Sequence, residues 1–171
     1  MRKEKIKDIT YVALFVAVIA IVSQIAIPMP SLVPITLQTF AVAMCGYILG
    51  YKKGLIAIIV YIALGAVGAP VFSSFQGGIS VLVGYSGGFV FGFIPLVILC
   101  GIIRDKKLGI LLGIIGVILC HILGIIWYMA LSSNNLISAF VLVSLPYIFK
   151  DFLFVCLSFF VSAKIRKKAK I

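Results

Sequence analysis

A single carboxylate stands beside a long apolar run in this chain. Of the 4 Asp and Glu residues, Glu4, Asp8 and Asp105 lie in charged segments, whereas Asp151 precedes an almost uninterrupted apolar stretch. A carboxylate at bilayer depth costs about 2.5–3.5 kcal/mol on insertion scales, so it is kept where it pairs with or binds something. Because an ionised carboxylate is a strong acceptor of N–H bonds, Asp151 is predicted to hold a polar group.

Residues 69–78 combine aromatic side chains, small polar side chains and paired glycines. Glycine lets a backbone approach a ligand closely. The segment is therefore predicted to contact a ligand, although packing on helix ends would use similar residues. The candidate contact residues in this segment are Phe72, Ser73, Ser74 and Gln76.

Four more candidates lie in or near apolar segments. Gln38 carries an amide that needs a partner in hydrocarbon, and a ligand and a neighbouring helix are equally suitable. Trp127 and Tyr128 suit either stacking on a ligand or an interfacial aromatic belt. Tyr85 precedes Gly88 and Gly92, whose GxxxG spacing predicts close approach of another helix.

The sequence also contains one pattern typical of a different chemistry. Residues 84–87 read G-x-S-G, as around the nucleophile of rhomboid intramembrane proteases. Ser86 would need a base within hydrogen-bond reach, and His121 is the only histidine. No polar residue adjoins His121 in sequence, so it is expected to pack or to line a cavity.

The elements that must position these residues are helices crossing a membrane. The 171 residues are 64% hydrophobic, which predicts one all-α, polytopic membrane domain. Pro146 divides the last apolar stretch and suits the first turn of a helix, so residues 136–145 are expected to form a short outer helix. The six predicted spans are about 9–27, 35–50, 55–69, 84–103, 108–131 and 146–165.

Charge gives the orientation. Of the 15 Lys and Arg residues, all except Lys150 lie at the termini or in the turns at 51–54 and 104–107. The positive-inside rule then places both termini in the cytoplasm of a cell-membrane protein. The net charge of +11 follows from this pattern and does not indicate nucleic-acid binding. Asp151 lies near the outer end of its span, so it is expected to line a pocket reached from outside.

No bound cofactor or metal is expected. Cys45, Cys100, Cys120 and Cys156 all fall in apolar segments without CxxC spacing, and they are interpreted as small buried hydrophobic residues. The sequence also lacks a Walker A motif, so any ATP hydrolysis must come from another chain.

Several motifs in order along the whole chain resemble the BioY family. BioY proteins are the biotin-specific substrate-binding (S) components of energy-coupling factor (ECF) transporters. The motifs are P-I-T-L-Q-T-F at 34–40, Tyr61 to Gly65 with Gly68, P-V-F at 70–72, G-x-x-G-G-F at 84–89 with Gly92 and Phe93, G-x-x-W at 124–127, and Pro146 with Asp151.

The resemblance implies six helices around an outward-facing biotin pocket that loops cap. It implies that Asp151 accepts the ureido N–H groups, while Gln38 or the hydroxyls of Ser73 and Ser74 serve the ureido carbonyl. Apolar and aromatic walls would hold the rest of biotin, with Phe72, Tyr85, Trp127 and Tyr128 as candidates.

The resemblance also implies partners. An alanine-rich face of the first helix would dock onto a transmembrane coupling subunit that carries two ATPase subunits. Ala13 and Ala17 match this A-x-x-x-A pattern, and Ala20 extends the smooth strip. The expected setting is the bacterial cytoplasmic membrane.

Two positions depart from the family pattern. A lysine common three residues after the aspartate is replaced by Phe154, and Ser74 stands where an asparagine is common. Lys150 either balances the charge of Asp151 or extends to the outer interface, which is the favoured expectation. The alternatives are an S component for another vitamin, a rhomboid-like protease, and a proton-coupled transporter using Asp151 and His121.

Overall fold

The computed structural model describes residues 2–103 and 105–169. Arg104 and Lys170, which belong to the predicted cytoplasmic charges, lie outside the described residues. The long elements are helices, and a short antiparallel sheet joins the first two. The elements are α1 (Arg2–Ser23), β1 (Ala26–Ile27), β2 (Ile35–Thr36), α2 (Gln38–Ala66), a 3-10 turn (Ser73–Phe75), α3 (Ile79–Val83), α4 (Gly87–Ile102), α5 (Lys106–Ser132), α6 (Leu136–Val143) and α7 (Leu145–Ala169).

Helix α2 folds back on itself at Gly50. This residue has φ 78° and ψ 168°, a conformation that favours glycine. The side-chain nitrogen Nε2 of Gln38 donates to the Tyr61 hydroxyl at 2.8 Å. A straight helix would separate these two residues by about 35 Å. The predicted spans 35–50 and 55–69 are therefore the two arms of α2, and the chain reverses at Gly50 instead of within residues 51–54.

The start of α1 and the end of α7 lie at one end of the helical bundle. Lys53, just past the Gly50 reversal, pairs with Asp8 near the start of α1. Near the end of α7, Arg166 donates to the Tyr47 carbonyl at 2.9 Å. The end of α4 lies at the same end of the bundle. Gly101 in its last turn is so close to Tyr51 that an added Cβ atom would lie 2.3 Å from the Tyr51 backbone nitrogen. The sheet, the 67–86 segment and α6 belong to the opposite end, which we call the loop end.

Length and composition make α1, α2 and α5 candidate membrane-spanning helices among the described residues. The pair α6 and α7, bent by 51°, passes the same test together, and α4 is apolar but shorter. Helix α4 packs between α2 and α5, and α7 packs on both α2 and α5. The structure thus bears out an all-α chain with apolar spans.

The predicted close approach at Gly88 and Gly92 is confirmed, and the neighbour is α5. A Cβ atom on Gly88 would lie 2.3 Å from Trp127 Cβ, and one on Gly92 would lie 2.7 Å from Cys120 Sγ. The absence of side chains here is what allows α4 and α5 to touch.

Helix boundaries differ from the predicted spans at both ends of the bundle, since α1 already begins at Arg2 and α7 continues to Ala169. Helix α1 ends at Ser23, and the chain then forms the hairpin of β1 and β2. The prolines at 28, 30 and 34 keep residues 28–34 from continuing the helix. Pro146 stands in the first turn of α7, as predicted.

Candidate functional site

Asp151 is buried near the start of α7, with 6% of its surface exposed. Its Oδ1 pairs with the ammonium of Lys150, and its Oδ2 lies 3.2 Å from Nε2 of His121. Each carboxylate oxygen has two acceptor positions. Asp151 therefore keeps acceptor capacity on both oxygens after these two contacts.

Lys150 turns inward beside Asp151. Its Nζ also donates to the Thr36 carbonyl on β2 at 2.9 Å and lies 4.8 Å from the centre of the Phe154 ring. The expectation that Lys150 extends to the outer interface is therefore wrong, because the carboxylate and the carbonyl hold its ammonium. The charges of Lys150 and Asp151 balance each other.

His121 supports Asp151 from helix α5. Its side chain is buried, and its Nδ1 lies 2.9 Å from the hydroxyl of Ser144, which precedes α7. An ionised carboxylate only accepts, so Nε2 of His121 carries the proton that is shared with Asp151. Both ring nitrogens are thus engaged, with Asp151 and Ser144 as their partners.

This arrangement does not resemble a serine–histidine catalytic pair. Ser86 lines the cavity described below, but the hydrogen bonds of His121 in the described part of the chain go to Asp151 and Ser144. A serine nucleophile needs its base within hydrogen-bond reach. The geometry therefore gives no support to the rhomboid-like alternative.

Asp151 and Lys150 line a narrow cavity between α2, α4, α5 and α7. Its empty volume, with the open mouth included, is about 570 Å³. Nine of the sixteen lining residues are apolar or aromatic, and seven are polar or charged. The lining residues are Val33, Pro34, Thr36, Gln38, Thr39, Phe72, Ser73, Val81, Ser86, Phe89, Val90, Phe93, Cys120, Tyr147, Lys150 and Asp151.

Gln38 is fixed at the cavity by two side chains. Its Oε1 accepts from the Thr36 hydroxyl at 3.1 Å, and its Nε2 donates to the Tyr61 hydroxyl at 2.8 Å. The Tyr61 hydroxyl in turn donates to the Val71 carbonyl at 3.0 Å. Because an amide nitrogen has two N–H groups, one remains for a ligand.

The 72–76 segment separates into cavity-lining and exposed residues. Phe72 and Ser73 are buried and line the cavity, and Phe72 packs edge-on against Tyr61 with ring centres 5.5 Å apart. Ser74 and Gln76 are exposed and line a neighbouring groove, with Ser73 at the junction. The groove continues the site toward solvent at the loop end.

The other three aromatic candidates lie outside the cavity lining. Trp127 donates from Nε1 to the Gly84 carbonyl at 3.0 Å and fixes the approach to α4. Tyr85 and Tyr128 pack on each other, with ring centres 5.3 Å apart. Tyr85 also lines a separate groove at the loop end.

The structure adds site residues that the sequence interpretation missed. Tyr147, in the first turns of α7, donates to the Val33 carbonyl at 2.6 Å and thereby holds the hairpin over the cavity. Phe89 and Phe93 project from α4 into the lining. The sequence carries a weak signal for these two residues, since Phe89 and Phe93 are spaced i, i+4 and each follows a glycine of the Gly88–Gly92 pair.

The alanine strip of α1 faces away from the bundle. Ala13 and Ala17 are exposed, whereas Phe15, Val16 and Ile19 are buried. Ala20 is half-buried at the edge of the strip. Among the described residues, no element of the chain packs over this strip.

Fold and cavity together define the class: a small, multi-pass helical membrane protein with a buried, polar-tipped ligand cavity near one end. The model of the BioY family matches residues 1–171. The chain belongs to the BioY family.

Individual relatives agree with this assignment. The chain is 37% identical over 147 residues to a probable biotin transporter BioY of Pyrococcus horikoshii, covering 86% of this chain and 88% of that one. It is 46% identical over 94 residues to the biotin transporter BioY of Thermotoga maritima, covering 55% of each chain. The 2.1 Å crystal structure of the S-component for biotin from an ECF-type ABC transporter is similar, with a TM-score of 0.89, 28% identity, and coverage of 98% and 94%.

Proposed function

We propose that this protein is the biotin-binding S component of an ECF-type, ATP-driven importer and captures biotin at the outer face of the membrane. The observation that carries the proposal is the buried Asp151 carboxylate at the polar end of an otherwise mostly apolar cavity. Family membership and the similar fold of a biotin S component support it.

Recognition begins at Asp151, which accepts a ureido N–H group of biotin. Lys150 and His121 hold the carboxylate in place, and its remaining acceptor positions are free for the ligand. A charge-assisted bond in a site shielded from water is stronger than one between neutral groups. The contact thus supplies both affinity and orientation.

The rest of biotin lies along the apolar walls. Phe72, Phe89, Val90 and Phe93 surround the thiophane ring and the start of the valeryl chain. Gln38 offers its free N–H within the same lining.

The valeryl chain runs toward the exposed groove at the loop end, past Ser73. Ser74 and Gln76 are the polar side chains at that exit, and they meet the carboxylate of biotin there. Tyr85, Trp127 and Tyr128 shape the mouth by fixing α3 and α4 against α5, without contacting the ligand.

The six predicted spans cross the bacterial cytoplasmic membrane with both termini inside. The shared position of the two termini in the bundle and the charge distribution support this topology. The exposed strip of Ala13 and Ala17, extended by Ala20, docks on a transmembrane coupling subunit with two ATPase subunits.

The test is saturable binding of labelled biotin to the purified chain in detergent. We expect competition by unlabelled biotin and by desthiobiotin, which keeps the urea, but not by thiamin or riboflavin. Mass spectrometry of a gently extracted preparation should also find bound biotin. Stronger competition by another vitamin would favour an S component for that vitamin, and absence of saturable binding would refute the proposal.

The contact between His121 and Asp151 favours a second candidate, a proton-coupled biotin transporter. Vesicles containing this chain alone separate the two functions. A proton-coupled transporter accumulates biotin under a pH gradient without ATP, whereas an S component alone does not.

A further inference from the structure

We propose that Lys150 makes the cavity selective for neutral cyclic ureas over cationic cyclic guanidines of the same shape. The inference rests on the proposed biotin-binding function and assigns a specificity-determining role to a residue beside the ligand acceptor. It follows from the hydrogen bonds and charges of three groups: the Lys150 ammonium, the Asp151 carboxylate and the Thr36 carbonyl.

The ammonium of Lys150 is held in a fixed place with one donor left. Of its three N–H groups, one binds Asp151 Oδ1 and one binds the Thr36 carbonyl at 2.9 Å. The Phe154 ring, 4.8 Å from Nζ, adds electrostatic support without using an N–H group on an acceptor atom. Because Lys150 lines the cavity, its third N–H group is available to a ligand.

Lys150 and Asp151 therefore present a donor beside an acceptor. The edge of a cyclic urea presents the reverse, a carbonyl acceptor beside an N–H donor, so the ligand can bind both residues at once. A cyclic guanidinium presents N–H groups on both positions. It satisfies Asp151 but leaves the Lys150 donor facing another donor.

Charge acts in the same direction. The Lys150–Asp151 pair is neutral as a unit, and a neutral urea leaves it so. A guanidinium would put a second cation in contact with the Lys150 ammonium, inside a cavity where water screens the repulsion poorly. Without Lys150, the uncompensated carboxylate would instead attract a cation.

The experiment compares labelled biotin with 2-iminobiotin, whose cyclic guanidine is protonated at pH 6. We expect the wild-type chain to bind 2-iminobiotin at least about 100-fold more weakly than biotin, since it forfeits one charge-assisted bond and gains a repulsion. In Lys150→Met, biotin affinity should fall about tenfold, and the ratio of the two affinities should narrow by at least about tenfold. Desthiobiotin keeps the urea and should follow biotin in both proteins.

The matched control is Lys106→Met. Lys106 also lies over an aromatic ring, 5.3 Å from the centre of Phe160, but at the far end of the bundle from the loop end, so its ligand ratio should equal that of the wild type. Thermal unfolding reports whether each variant is folded, and Lys150→Leu, which also removes the donor and the charge, replaces Lys150→Met where the latter is not.

Two results would overturn the inference while the proposed function stands. One is a wild-type chain that binds biotin and protonated 2-iminobiotin with similar affinity, which needs no variant. The other is a folded neutral variant with an unchanged affinity ratio. A wild-type chain that binds no biotin would instead refute the proposed function.

Discussion

At the scale of residues, His121 decides how firmly the ligand acceptor is held. It connects Asp151 on one side to Ser144 on the other through its two ring nitrogens. Both contacts are buried, so neither group can exchange its partner for water at low cost. His121 is therefore a positioning residue that acts on the ligand through Asp151.

We predict that His121→Leu lowers biotin affinity about tenfold, because Asp151 loses a buried donor worth about 1–3 kcal/mol. His121→Gln should recover most of the affinity, since its amide can donate in place of Nε2. Equilibrium binding at one pH measures both variants, with thermal unfolding as the check on folding. A Leu variant that binds biotin as tightly as the wild type would reduce His121 to a packing role.

The sequence identified some of the site residues but not their network. Asp151 could be predicted because a lone carboxylate beside an apolar run is costly without a partner. The inward turn of Lys150 could not, since that depends on the Thr36 carbonyl of a hairpin that the composition did not reveal. His121 meets Asp151 across two helices, and sequence spacing carries no information on such a pair.

At the scale of elements, glycines set the distance between α4 and α5. Gly88 faces Trp127 Cβ and the Leu123 carbonyl, so the obstacle to an added methyl group includes backbone. Gly116 faces Leu96, whose Cδ1 would lie 3.0 Å and whose backbone Cα would lie 3.1 Å from an added Cβ atom. An added methyl group is therefore less crowded at Gly116 than at Gly88, where the nearest atom would lie at 2.3 Å.

We predict that Gly88→Ala destabilises the fold by about 1–3 kcal/mol through overpacking, whereas Gly116→Ala costs less than about 1 kcal/mol. Alanine gains the same helix propensity at both sites, so the difference isolates packing. Thermal unfolding in detergent measures it. Equal shifts in Tm would contradict the close contact of α4 and α5 at Gly88.

A separate prediction concerns the exposed alanine strip of α1. Ala17→Trp adds bulk on the side of α1 that faces away from the cavity core, so we expect it to abolish co-purification of the coupling subunit and to leave biotin binding unchanged. Leu153→Trp on α7, where the side chain is 64% exposed, is the control and should retain the subunit. Normal assembly of Ala17→Trp would exclude this strip as the docking surface.

At the scale of the whole molecule, the proposed membrane orientation rests on where charge and loops lie in the bundle. The described basic side chains Lys53 and Arg166 make their contacts at the end that holds the start of α1 and the end of α7. The cavity, the hairpin and the grooves lie toward the other end. In the proposed orientation, a ligand that arrives from outside meets the open mouth directly.

We predict that a membrane-impermeant maleimide labels Ser133→Cys in intact cells and labels Lys52→Cys only after permeabilisation. Ser133 follows α5 at the loop end, and Lys52 follows the Gly50 reversal. The parent chain is the control, because Cys45, Cys100 and Cys120 are buried and Cys156 is half-buried. The reverse labelling pattern would invert the proposed topology.

Apolar runs and their breakers predicted most of the helices, since a bilayer needs long uninterrupted helical segments. The hairpin at 26–36 escaped prediction because two residues per strand leave no periodic pattern. The sequence predicts this reversal a few residues late, at 51–54, because Lys52 and Lys53 form the basic turn signal, whereas the backbone reverses at Gly50.

The most direct measurement compares the biotin affinity of the Asp151→Asn variant with that of the Asp8→Asn variant. Asp8 pairs with Lys53 at the far end of the bundle, so its variant should bind biotin like the wild type. Asp151→Asn should bind biotin about 10–100-fold more weakly, because it loses the charge-assisted hydrogen bonding to the urea. A folded Asp151→Asn protein with wild-type affinity would contradict the claim that this carboxylate holds the ligand.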